Sequence, residues 1–164
     1  DLTGLLNRNG LHQLLDARLG DPEASEPSAS TAQAELALLF IDLDHFKSVN
    51  DSLGHGLGDE LLRQAADRIE ACLPARSPVA RPGGDEFVVV LEAADAADAA
   101  EVATAICRRM ALPFQVGGRE HFLGASIGIA LAKDESPESL MARADEALYC
   151  AKEQGRNRAY CAER

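Results

Sequence analysis

Apolar and polar positions along this chain alternate between two rhythms, one with a period near four and one made of unbroken apolar runs. Leu11, Leu14, Leu15 and Leu19 recur at helical spacing and predict an amphipathic helix over 8–19. Leu36 to Ile41 is a continuous apolar run of strand length, which predicts a buried strand over 35–41. A short helix is expected near 44–52. A longer one is expected over 56–73, where Leu57, Leu61, Ala65, Ile69 and Leu73 repeat every four residues. Strands near 78–82 and 86–92 flank Gly83-Gly84, the second built on Phe87-Val88-Val89-Val90-Leu91. An Ala-rich helix over 95–111 follows, then a second hairpin turning at Gly117-Gly118 with a return strand from Phe122 to Ala130. Ser136-Pro137-Glu138 opens the last helix with an N-cap, a first-turn proline and an acid at the positive end of the dipole. That helix runs through Leu140, Ala144, Leu148 and Ala151 to Gly155.

Residues 20–34 break both rhythms. They are small, polar and punctuated by proline, and read as a flexible loop. After the first helix the order β-α-α-β-β-α-β-β-α-β predicts an α/β (α+β) sandwich with antiparallel strands and helices packed on one face. At 164 residues the chain is one domain with room for a proper core.

Composition narrows the function classes. An apolar fraction of 46% with 26% charged residues is globular. A net charge of −11 and a pI near 4.7 argue against a nucleic-acid polymer or an anionic membrane as the main partner, since both need a basic face. A nucleotide remains compatible, because it needs only a metal and a few local cations. No apolar run reaches transmembrane length, and no basic-then-apolar signal segment opens the chain. Cys72, Cys107, Cys150 and Cys161 show no Cys-x-x-Cys or zinc-finger spacing, so reduced, mostly buried thiols and a cytoplasmic setting are expected.

The candidate chemistry lies at two strand ends. In Arg81-Pro82-Gly83-Gly84-Asp85-Glu86-Phe87, two glycines make a tight turn with bare backbone, and two acids follow at its rim. Asp42 ends the first apolar run and is followed by Asp44 and Lys47. An acid closing a strand opposite an acidic hairpin tip is the arrangement expected for Mg²⁺ held by one or two carboxylates plus substrate phosphates, with Lys47 as compensating charge. For Asp42 and Asp44 the plainer alternative is a polar strand cap followed by a helix N-cap. Gly54-x-Gly56-x-Gly58 lacks the spacing and preceding strand of a dinucleotide fingerprint, and no P-loop motif is present. His55 between these glycines reads as a structural residue of the turn.

Over nearly its full length the chain resembles a GGDEF domain, the catalytic module of diguanylate cyclases. Asp1-Leu2-Thr3-Gly4-Leu5-Leu6-Asn7-Arg8 is similar to the family's opening motif. Asp42 to Lys47 with Asn50-Asp51, Gly54-His55 and Gly58-Asp59 matches its second block, and Arg81 to Phe87 is the signature itself. Ser126 to Ala130 matches a later strand. Ala144 to Tyr149 with Ala151-Lys152 and Gly155 to Arg158 matches the closing helix. Five blocks in order are hard to obtain by chance.

The resemblance implies a fold like that of nucleotidyl cyclases and the polymerase palm, a mostly antiparallel sheet flanked by helices with the signature on a hairpin. It implies condensation of two GTP into cyclic di-GMP and two pyrophosphates. Asp42 and Asp85 would be the Mg²⁺ carboxylates, with Mn²⁺ as a substitute, Leu43 adding its backbone carbonyl and Glu86 a further ligand. Asp85 would also be the general base. Gly83 and Gly84 would lie against the nucleotide, Lys47 would stabilise phosphate charge, and Lys152 and Arg156 would hold the β/γ end. Asn50 and Asp59 would read guanine. Each residue has a plainer reading: Asn50 as a helix C-cap, Asp59 as a first-turn acid, Lys152 and Arg156 as a solvated helix end. Their joint placement on one template favours the functional set.

Two departures stand out. The Arg-x-x-Asp of the family's inhibitory product site is replaced by Pro74-Ala75-Arg76-Ser77, and the loop 20–34 is long. The partners implied are GTP and a second copy of the domain in a transient homodimer. The chain begins at the opening motif and reads as one domain of a longer protein carrying sensor or phosphodiesterase domains. The alternative is a silent GTP-binding domain that regulates an attached phosphodiesterase.

Overall fold

The computed structural model describes residues 2–20 and 35–163. Asp1 of the opening motif and residues 21–34 of the expected loop lie outside the described residues. The elements run α1 Arg8–Leu19, β1 Leu36–Leu43, α2 Phe46–Leu53, α3 His55–Ala71, β2 Val79–Gly83, β3 Glu86–Glu92, α4 Ala96–Met110, β4 Phe114–Val116, β5 Arg119–His121, β6 Ala125–Leu131, α5 Pro137–Glu153 and β7 Ala159–Cys161. Capping chemistry sets several ends. The Asn7 side chain accepts from the Gly10 N–H at 2.8 Å to start α1, Asp95 and Asp98 form a reciprocal capping box on α4, and Ser136 caps α5.

The main sheet has strand order β2-β3-β1-β6-β7. All its pairings are antiparallel except β6 with β7. The alternation of side chains along a strand splits the core in two. Ala37, Leu39, Ile41 and Leu43 of β1 join Phe87, Val89 and Leu91 of β3 in a cluster closed by α3 and α4. Leu36, Leu38 and Phe40 join Val88 and Val90 in a second cluster closed by α1 and α5. Helices therefore cover both faces, not the single face that the element order predicts. The unbroken apolar runs carry the reason: a strand with one wet face would alternate, and these do not. At Gly128 of β6 an added Cβ would lie 2.0 Å from the Ala144 carbonyl oxygen, so glycine lets α5 sit directly on the sheet.

A second correction concerns the 117–130 region. Gly117-Gly118 does make the two-residue hairpin turn, with φ of 62° and 74°, but its return strand is the short β5 in a separate two-stranded sheet. The chain then leaves that hairpin through an exposed Phe122 and enters the main sheet as β6, pairing with β1. The predicted return strand over Phe122–Ala130 thus holds only as β6, while the true return strand Arg119–His121 is charged and carries no apolar run to announce it. All four cysteines are free thiols, and only Cys107 is fully buried, with burial pushing its pKa up to about 11.

Candidate active site

Register brings the two acidic clusters together. Asp42 of β1 stands opposite Glu86 of β3 on one side and Ser126 of β6 on the other. Gly83 pairs with Glu86 across a two-residue turn, Gly84-Asp85, in which Gly84 takes φ 56°. A left-handed φ at that position is the conformation glycine adopts without a Cβ penalty. Arg81 Nε donates to the Gly84 carbonyl at 2.9 Å, and the Leu43 N–H donates to the Asp85 carbonyl at 3.3 Å. The hairpin tip is therefore fastened to the end of β1. Nothing lies within 4 Å of where a Cβ would stand on Gly83 or Gly84, which leaves bare backbone facing open space.

Side-chain parity places Asp42 and Glu86 on the α1/α5 side of the sheet. Lys152 of α5 donates to Asp42 Oδ2 and forms an ion pair with it. Asp42 Oδ1 is buried without any hydrogen-bond partner. Burial, the Asp42 charge and a hydrogen bond to Asp42 push the Asp85 carboxyl up to about 6. Glu86 is also raised, by burial and by Asp42 and Asp145, with Arg8 and Lys152 acting in the opposite direction. Three acids thus crowd one ammonium group. An orphaned buried carboxylate oxygen beside a carboxyl driven toward its neutral form is a donor set that fits a hard divalent cation. Among the described residues no group of three or more His, Cys, Asp or Glu is arranged to hold a metal. A cation here must take the rest of its coordination from water or ligand phosphates, which is the habit of Mg²⁺.

Asn50 and Asp59 approach from the other layer. An added Cβ at Gly58 would lie 1.7 Å from Asn50 Oδ1, so the Asn50 side chain rests against the start of α3 in space that only glycine leaves. Asp59 follows at once, exposed. It stands in the second turn of α3, whose first turn has no acid, so the dipole reading of Asp59 loses its position. The C-cap of α2 is Gly54, not Asn50. Lys47 is exposed in the first turn of α2, and Arg156 is exposed just past α5 with φ 64°. The structure therefore joins Asp42, Asp85, Glu86 and Lys152 directly, sets Asn50 beside Gly58-Asp59, and leaves Lys47 and Arg156 at the margins.

Three residues inside the matched blocks have surroundings that the motifs do not reveal. Arg8 and Asp145 flank Glu86, and Asp145 is signalled by lying seven residues, two helical turns, before Lys152. The third is Asp44, which is buried. The N-cap of α2 is His45, with no side-chain cap bond, so Asp44 is not the cap its position invites.

Comparison with known proteins agrees with this architecture. The chain is 46% identical over 163 residues to the bifunctional diguanylate cyclase/cyclic di-GMP phosphodiesterase MucR of Pseudomonas aeruginosa, covering 98% of this chain and 23% of MucR. It is 37% identical over 157 residues to the cyclic di-GMP phosphodiesterase PdeR of Escherichia coli, covering 94% of this chain and 22% of PdeR. The chain thus spans about a quarter or less of the length of these curated relatives. A structure comprising only the GGDEF domain of TpbB (or YfiN) from Pseudomonas aeruginosa superposes with a TM-score of 0.88 at 39% identity, covering 99% of this chain and 93% of that one. The family model described as diguanylate cyclase, GGDEF domain, matches residues 1–158, and the chain belongs to that family.

Proposed function

We propose that this domain is an active diguanylate cyclase that condenses two GTP into cyclic di-GMP with release of two pyrophosphates. The observation that carries the reading is the buried, partnerless Asp42 Oδ1 beside Asp85, whose carboxyl is pushed up to about 6. Asp42, Asp85, the Leu43 carbonyl and Glu86 are the groups that would hold Mg²⁺ or Mn²⁺. When bound, the ion neutralises phosphate charge and assists departure of pyrophosphate. Asp85, with a pKa near the working range of a base at neutral pH, takes the proton from the attacking 3′-hydroxyl. The hydroxyl oxygen bonds to the α-phosphorus of the other GTP, and the bond to pyrophosphate breaks. The bare Gly83-Gly84 backbone admits the nucleotide, Lys47 and Arg156 meet its phosphates, and Lys152 joins them once Asp42 has another counter-charge. GTP places this chemistry in the cytoplasm, with sensor or phosphodiesterase domains attached in the whole protein.

The second reading, a silent GTP-binding regulator of an attached phosphodiesterase, is favoured by the likeness to PdeR, itself named as a phosphodiesterase. Retention of Asp42, Asp85, Glu86, Lys47, Lys152 and Arg156 together speaks for the active form. Incubation at high protein concentration with GTP and Mg²⁺, followed by separation of nucleotides, is expected to yield cyclic di-GMP. Unchanged GTP would favour the silent form.

Two variants test the guanine assignment. Asp59→Ala is expected to weaken GTP binding about 10–100-fold, since a hydrogen bond to a charged acceptor is worth about 1.5–3 kcal/mol. The parent should also prefer GTP over ATP, whose purine lacks the N1–H and N2 donors. Equal binding of the two nucleotides would refute this assignment. Gly58→Ala is expected to displace Asn50 and weaken GTP binding roughly 10-fold, the worth of about one hydrogen bond. Its melting temperature should hold or rise, because alanine is the better helix former by about 1 kcal/mol. Parental affinity in this variant would show that Asn50 does not touch the base.

A further inference from the structure

Asp44 is 5% exposed and Ser126 is 0% exposed, the two buried polar side chains of the described core. Ser126 Oγ donates to Asp44 Oδ1 at 2.7 Å, and the Asn157 N–H donates to Asp44 Oδ2 at 2.9 Å. The Asp44 N–H donates to the Gly124 carbonyl at 2.9 Å. One carboxylate therefore ties together the end of β1, the start of β6 and the turn between α5 and β7. That turn is unusual. Gly155, Arg156 and Asn157 have φ of 116°, 64° and 48°, three successive residues in the left-handed half of the map, two of them not glycine. Such conformations persist only where surrounding contacts over-determine them. Within the turn the Arg156 N–H donates to the Ala151 carbonyl at 3.1 Å, and just beyond it the Ile127 N–H donates to the Arg158 carbonyl at 2.9 Å. Asn157, the residue that follows Arg156 and closes the turn, is held by Asp44.

We propose that Asp44 is a positioning residue for nucleotide binding: it fixes the 155–157 turn so that Arg156 faces the phosphate end of GTP. The inference rests on the GTP site proposed above and adds to it a residue that touches no ligand. The chemistry calls for a carboxylate. Donors arrive from two directions on two oxygens, and an amide would turn an N–H₂ toward one of them. Gly124 belongs to the same arrangement, since an added Cβ there would lie 3.0 Å from Asp44 Oδ2 and 3.3 Å from Asn157 Oδ1.

The test is a double-mutant cycle read by calorimetric binding of 3′-deoxy-GTP with Mg²⁺, a nucleotide that cannot condense. Asp44→Asn and Arg156→Ala are each expected to weaken binding roughly 10-fold. Asp44→Asn/Arg156→Ala is expected to bind no more weakly than Arg156→Ala alone, because Asp44 acts through Arg156. A general structural role would instead make the two losses multiply, and that result would overturn the proposal. Gly124→Ala, which pushes on the carboxylate without removing it, should weaken binding several-fold and also add nothing to Arg156→Ala. It decides the matter where Asp44→Asn does not fold, and parental affinity in Gly124→Ala would then overturn the proposal. A parent that binds while Asp44→Asn binds equally well sinks this inference alone. A parent that fails to bind the nucleotide sinks the proposed GTP site and this inference with it.

Discussion

Asp85→Asn is expected to cut cyclic di-GMP formation by roughly 10²–10⁴-fold, the range for loss of a general base. The same change is expected to raise the melting temperature of the metal-free protein at neutral pH. The two effects share one cause. Folding carries the Asp85 carboxyl from its ordinary 3.8 to about 6, chiefly through burial and then through the nearby Asp42. A raised acid gives stability that is complete below pH 4 and lost as pH climbs through 6, because the folded state holds the proton more tightly. Above pH 6 the ionised, half-buried carboxylate is therefore a net cost to the apo fold. Screening at a half-exposed site trims that cost to about 1 kcal/mol, so the amide should add about 2–4 °C in chelator at pH 7.5 and nothing near pH 4. Asp42→Asn should abolish turnover as well, but without the gain in stability, since it strips Lys152 of its ion-pair partner. Calorimetric melts across pH, with and without Mg²⁺, read the first effect and product assays the second. Normal turnover by either folded variant would dismiss the proposed metal site. A pH-independent difference between parent and Asp85→Asn would dismiss the crowding of acids.

The same crowding explains why some of the site can be read from sequence and some cannot. Asp42 and Asp85 are legible because one closes an apolar run and the other stands at the rim of a Gly-Gly turn that opens onto one. The start of α5 is legible because Ser136 is an N-cap in sequence and in space. Which face each side chain takes needs the register. Only the pairing of Asp42 with Glu86 shows that both point toward α5, where Lys152 waits. The role of Asp44 is out of reach of any local pattern, because its partners Ser126 and Asn157 lie 82 and 113 residues away. Arg119–His121 carries no apolar run, so the short strand β5 is announced only by its pairing with β4. Local chemistry announces the reactive groups, while long-range pairing decides what steadies them.

Tethering two copies through a parallel coiled coil at the N-terminus is expected to raise specific activity about 10²–10³-fold at micromolar protein, as effective concentration climbs toward about 1 mM. On the proposed reaction the product is symmetric, and each 3′-hydroxyl would have to reach the α-phosphate held by a second copy. We therefore propose that two copies face each other about a two-fold axis. Each brings a net charge of −11, which opposes encounter at low ionic strength. No heptad segment is present in the sequence to offset that repulsion. For the isolated domain, specific activity should therefore fall about in proportion to dilution, as expected when the competent dimer is a minor species. Moderate salt should raise the rate of the untethered domain and leave the tethered one nearly unmoved, because only the former depends on bimolecular encounter. Initial rates over a hundred-fold range of protein concentration, at two ionic strengths, separate these cases. Specific activity that stays constant on dilution would mean that one copy, or a tight dimer, carries the reaction, and the proposed assembly would be wrong.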